Sequence, residues 1–161
     1  MLACSRSAAG DTAAEVPAKV DEPAAVEEPA AGVGTAVRDG KFEFVVDGIE
    51  CGVAEVGSEY LKKTAQGQFC LVSVGVKNIG DKPQMFLGDN VSLFNAQGQE
   101  YSADTEAGIY LDSTAGATFL EEINPGNQLS GKVVFDIPAG AVPASLELHD
   151  SAFSGGVKVA L

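Results

Sequence analysis

The chain has 161 residues, 45% of them apolar, and 23 Asp and Glu against 10 Lys and Arg, a net charge of −13. Such acidity repels phosphate backbones, so nucleic acid is not expected as a partner, and no apolar run approaches the ~20 residues that span a bilayer. Nineteen Gly, seven Pro, no Trp and a single His point to a turn-rich β protein with little equipment for acid–base chemistry.

Met1-Leu2-Ala3-Cys4-Ser5 opens the chain. A small residue before a Cys resembles the end of a bacterial lipoprotein signal, in which that Cys becomes the lipidated N-terminus. Residues 1–4 are therefore expected to be the remnant of a longer signal, whose basic and apolar regions would lie upstream. The alternative is a chance N-terminal Cys on a cytosolic protein. Lipidation at Cys4 would supply more than one acyl chain and hold the protein on a membrane without a helix.

Residues 5–37 are built from Ala, Glu, Asp, Pro and Val, with no aromatic residue. Pro17, Pro23 and Pro29 interrupt any long helix that the Ala content would favour. Such a segment buries too little apolar surface to offset its ordering entropy, so a disordered linker is expected. A short amphipathic helix packed on the domain is the alternative. The folded domain is expected over 38–161.

Phe42, Phe44 and Val46 alternate with Lys41, Glu43 and Asp47, the period of a half-buried strand. After Gly48 the apolar set changes parity to Ile49, Cys51 and Val53, as a β-bulge would produce. Gln68 to Lys77 is the strongest strand, with Cys70, Val72, Val74 and Val76 on one face. It stops at the turn-forming run from Asn78 to Pro83. Val91 to Asn95 meets Gln97-Gly98 and returns through Gln99 to Ser102. Region 103–123 has no clean period and admits a short helical turn or a long inter-sheet crossing. Pro125-Gly126-Asn127 opens a strand on which Leu129, Gly131, Val133, Phe135 and Ile137 share a face. Leu146 and Leu148 mark another, and Val157, Val159 and Leu161 alternate to the end. About seven short strands with intervening turns predict an all-β, immunoglobulin-like antiparallel sandwich.

Cys51 and Cys70 both fall within strands, which makes a cross-strand disulfide reasonable. Closing that loop would contribute ~3 kcal/mol by restricting the unfolded chain. The pair fits an oxidising, extracytoplasmic compartment and leaves Cys4 free for lipid. Two independent buried thiols are the alternative. Two Cys and one distant His fall short of a zinc site.

Gly126 to Lys132 approaches a phosphate-binding loop, but Val133 replaces the magnesium-holding Ser or Thr and a strand follows where a helix is needed. It reads as a turn with a solvent-facing Lys132. His149-Asp150-Ser151 holds triad residue types, yet neighbouring positions cannot converge into a relay. His149 is expected to point outward at a strand end. Glu100, Asp104, Glu106, Asp112, Glu121 and Glu122 concentrate acid in one region without the ladder of a calcium loop. A solvated acidic face is the plainest reading. A two-carboxylate hydrolase is a further one, and requires two of these acids roughly 5 to 10 Å apart in a cleft. Tyr101, Tyr110 and Phe119 are interleaved with the acids. Tyr101, Asp104, Glu106, Tyr110, Asp112 and Phe119 are thus the candidate partner-binding residues. Rings that merely cover the edge of the sandwich are the alternative.

Five segments, taken in order, carry a resemblance: Gly67 to Asn78, Ala96 to Asp104, Phe119 to Gly126, Gly131 to Pro138 and Leu146 to Ser151. Together they resemble the telokin-like, immunoprotective-antigen-like family of secreted bacterial domains of unknown function. The resemblance covers about residues 40–161. It implies an immunoglobulin-like sandwich, often behind a lipoprotein signal and a low-complexity linker, and implies no activity. The expectation is a non-catalytic, monomeric lipoprotein module on the outer face of the cell membrane. It would use no cofactor or metal and bind an unknown protein or cell-wall component. A carboxylate hydrolase and an accessory subunit of an envelope complex are the alternatives.

Overall fold

The computed structural model describes residues 31–115 and 121–161, with helical side chains followed as far as Leu111. Cys4, Phe119 and residues 5–30 lie outside the described residues, as does the side chain of Asp112. The strands in chain order are β1 (Ala31–Gly32), β2 (Ala36–Asp39), β3 (Phe42–Gly57), β4 (Lys62–Asn78), β5 (Gln84–Met85), β6 (Val91–Asn95) and β7 (Glu100–Ser102). After the helix α1 (Thr105–Ala115) come β8 (Glu122–Ile123), β9 (Gln128–Ile137), β10 (Pro143–Leu148) and β11 (Val157–Ala160). One sheet runs β1-β11-β10-β6-β7 and faces a second, β2-β3-β4-β9, while β5 and β8 form a small pair. All pairings are antiparallel except β1 with β11. This is the all-β sandwich that the strand pattern predicts.

The inner faces are the expected ones. Phe42, Phe44 and Val46 meet Cys70, Val72, Val74, Val76, Val133, Phe135 and Ile137 from the same sheet, and Leu93, Leu146, Leu148 and Val159 from the other. Phe86 adds a ring from the turn after β5, edge-on to Phe42 at 5.7 Å between centroids. Gly48 marks a register shift between β3 and β4, as the parity change requires. Two more shifts follow at Glu50/Val53 and Val53/Glu55. Ile49 therefore packs on the main core, Val53 on a second cluster, and Cys51 is exposed. The three do not share one face, because each extra residue re-aims the strand.

Two boundaries differ from expectation. Strands begin at Ala31, inside the segment expected to be linker, and Val37 is buried against the core. Ala and Val at 31–37 carry too few apolar groups to announce a strand, and pairing with β11 and β3 supplies what composition lacks. β4 starts at Lys62, not Gln68, because its first residues pair with β3 as a hairpin arm and need no alternation.

The region without a clean period contains α1. It lies on the outer side of the β3-β4-β9 sheet, where Ala107 and Leu111 bury Val56, Phe69, Leu71 and Val134. The molecule thus has a third layer over part of one sheet. Asn78 is fully buried, and its amide donates to the carbonyls of Lys82 and Ile123 at 2.7 and 2.8 Å while its Oδ1 accepts from the Gly80 N–H. The turn cluster after β4 is held by that side chain.

Candidate functional site

Asp104 ends the chain's passage along β7 and starts α1. Its N–H donates to the Val134 carbonyl at 2.7 Å, and its Oδ1 accepts from the Ala107 N–H at 3.0 Å, an N-cap. Lys63 of the hairpin arm donates to Asp104 at 2.8 Å and pairs with Glu106 at 3.0 Å. The hydrogen bonds to the two carboxylates hold the Lys63 ammonium above its usual pKa, against the smaller effect of desolvation. The helix is therefore pinned at its start to both β9 and β4.

Beside it lies a cleft of about 110 Å³. The turn Leu87–Asp89 forms one side, α1 another through Gly108 and Ile109, and β9 contributes Lys132 to Val134. Leu87 and Ile109, 45% and 52% exposed, place two large apolar side chains beside one hollow. Gly108 is buried, yet a Cβ built on it meets nothing within 4 Å and its φ is not positive. Neither backbone strain nor crowding by the neighbours calls for Gly here. The missing side chain is what keeps the hollow open.

Of the candidate partner-binding residues, the structure gathers only some. Asp104 lines the cleft, and Glu106 is exposed next to it. Tyr110 is half-buried on α1. Tyr101 is half-buried on β7, where its hydroxyl accepts from the Asn95 amide at 3.0 Å, part of the β6–β7 turn. Glu100 pairs with Ser92 Oγ at 2.8 Å, and Glu121 and Glu122 are exposed. Asp104 and Glu106 are brought together, but around one shared Lys63 ammonium. Lys132, Gly108, Ile109 and Leu87 were not among the sequence candidates. Lys132 was expected in solvent and is half-buried in the cleft, with no hydrogen bond or ion pair among the described residues. Its alternation with Val133 placed it on the outer face, but only α1 makes that face a wall.

Cys51 and Cys70 are bonded, with Cα atoms 4.0 Å apart and a sequence separation of 19. The bond lies where β3 passes from the sandwich into its arm. Among the described residues, no group of three or more His, Cys, Asp or Glu is arranged to hold a metal ion, and no helix is long and apolar enough to cross a membrane.

His149 is half-buried, not pointing freely outward. Its Nε2 lies 2.7 Å from Glu147 and its Nδ1 3.1 Å from the Ser154 carbonyl. Ser154 Oγ donates to Asp39 at 2.5 Å, as does the Asp150 N–H at 2.6 Å. Burial raises the Asp39 pKa, but the bonds from Ser154, Asp150 and Gly156, with His149 nearby, outweigh it and leave the carboxyl below its ordinary value. The serine proton is thus directed at Asp39, and the cluster ties the β10–β11 loop to the β2–β3 turn.

Fold and site together define a small two-sheet sandwich with a helix laid on its outer face and an apolar cleft beside that helix. The chain belongs to the family described as Domain of unknown function (DUF4352), matched over residues 31–159. Its fold is similar to that of a conserved hypothetical protein from Bacillus anthracis (19% identity, TM-score 0.57, covering 83% of this chain and 99% of that one). It is similar also to MPT63, a secreted protein from Mycobacterium tuberculosis (14%, TM-score 0.57, 85% and 100%). A putative lipoprotein from Bacillus subtilis shares the fold at 17% identity and TM-score 0.52, over 78% of this chain and 38% of that one. No curated protein matches the chain.

Proposed function

We propose that this protein is a non-catalytic module of the bacterial cell envelope, tethered by lipid at Cys4 and presenting its sandwich to a protein or wall partner. The observation that carries the reading is the Cys51–Cys70 bond, which suits an oxidising compartment. The Leu2-Ala3-Cys4-Ser5 run and the Ala-, Glu- and Pro-rich stretch behind it support a tether. Secreted and putative lipoprotein relatives in fold are consistent with that location. Within the larger family, the motifs from Gly67 to Ser151 favour kinship with the telokin-like, immunoprotective-antigen-like domains. The partner-facing surface is the α1 side, through Asp104, Glu106 and the cleft next to them.

Growth of the source bacterium with an alkyne fatty acid tests the tether. Label on the protein, abolished by Cys4→Ser, is the expected result. Unlabelled protein with Cys51 and Cys70 both reduced in freshly trapped cells sinks the reading.

A further inference from the structure

Helix α1 carries Gly108 in its interior, where Gly is about 1 kcal/mol less favourable than Ala. A side chain would fit without strain, so the local structure does not require the glycine. What its absence creates is a hollow the size of one aliphatic side chain, ringed by Leu87, Ile109 and Val133. Leu87 and Ile109 remain exposed around it, an arrangement that a covering apolar group would relieve.

Two features next to the hollow specify the rest of the occupant. The first is Lys132, a half-buried ammonium without a carboxylate among the described residues, in a protein of net charge −13. Asp104, which also lines the cleft, is already taken by Lys63 and the Ala107 N–H. Asp89 is the other charge of the cleft, and it is exposed. The second feature is the edge of β9. Among the described residues, the outward side of this strand is paired only through the Ala103–Phe135 bridge and the Asp104 N–H to Val134 carbonyl bond. Val134 faces outward, so by alternation Lys132 and Ser130 also turn their N–H and C=O away from β4. Among the described residues those groups have no ladder partner, and they run into the hollow.

We infer that the cleft between α1 and β9 captures the extended C-terminal segment of a protein: its last, aliphatic side chain fills the space left by Gly108, its terminal carboxylate pairs with Lys132, and its backbone adds to the free edge of β9. Strand addition supplies affinity and the hollow selects the side chain. This inference rests on the binding-module reading above but not on the lipid tether, so the two fail separately.

The test is a titration of the isotope-labelled full chain with the acetylated peptide Thr-Val-Thr-Leu, as the free acid and as the C-terminal amide, followed by amide NMR. The expected result is saturating shifts at Ser130–Val134 and at Gly108–Ile109. The amide should bind about tenfold more weakly, as should the acid with Lys132→Gln, the usual effect of losing one charge-assisted bond. Gly108→Leu fills the hollow and should abolish the shifts while leaving the thermal midpoint no lower. Equal affinity of acid and amide, undiminished binding to G108L, or no shift at these amides up to ~10 mM would overturn the inference. So would hexanoate binding as tightly as the peptide, since that would leave no role for the β9 edge.

Discussion

Lys63 Nζ lies 2.8 Å from Asp104 Oδ2 across 41 residues of sequence, and the same carboxyl group caps α1 through the Ala107 N–H. One side chain therefore joins the hairpin arm to the start of the helix. Its two roles can be separated by substitution. Asp104→Asn loses the ion pair but retains a capping oxygen, whereas Asp104→Ala loses both the ion pair and the cap, the latter worth about 1 kcal/mol. Urea unfolding should rank wild type above Asn and Asn above Ala; equal stability of the Asn and Ala variants would mean that the cap contributes nothing. The Lys63 pKa is raised in the folded protein, so its contribution is complete at neutral pH and is lost only as pH rises into the alkaline range.

Asp39 tests the loop at the other end of the sandwich. Its folded pKa is depressed, so its stabilisation is present above the unfolded value near 4 and disappears as pH falls through the lower folded value. Asp39→Asn should destabilise the protein by about 1–2 kcal/mol at neutral pH. The difference from wild type should shrink in acid. A gap that stays constant down to strongly acidic pH would exclude this linkage.

The disulfide offers a direct measurement. With Cys51 and Cys70 at a sequence separation of 19, loop closure restricts the unfolded chain by about 3 kcal/mol. Denaturation with and without a reductant should differ by about that amount, with the far-UV spectrum of the native state retained. Identical midpoints, in material shown by mass to change by one hydrogen pair, would contradict the bond's contribution.

Phe86 stands in a turn outside the regular strands, yet it is fully buried against Phe42 and Phe44. Phe86→Ala should cost about 3–5 kcal/mol, and Phe86→Leu markedly less. Calorimetry of the two variants decides the matter. A loss of under about 1 kcal/mol for the Ala variant would show that the site collapses or that the ring is not in the core.

Strands with one buried face are legible in the sequence. Phe42, Phe44 and Val46, or Cys70 to Val76, alternate because a two-residue period sends every second side chain to the core. The bulge at Gly48 was legible for the same reason, as a change of parity. The second cluster was not: Phe69, Leu71 and Val134 also lie on strands, but on the face that points outward until α1 covers it. Local sequence holds the period and cannot state what will pack against the second face.

The candidate site divides along the same line. Acid near 100–106 and the two strand cysteines could be read residue by residue, since charge and thiol chemistry travel with the side chain. That Asp104 is an N-cap, that Lys63 neutralises it, and that Lys132 stands beside the hollow with no carboxylate partner among the described residues all depend on segments far apart in sequence meeting in space. Hydrophobic period and turn chemistry act over a few residues, so a turn-rich antiparallel sandwich is already implied by the residue order. Where a binding surface lies is set by how distant elements pack. A cleft is a property of the space between elements, and Gly108 shows its meaning only once β9 and the Leu87 turn stand opposite it.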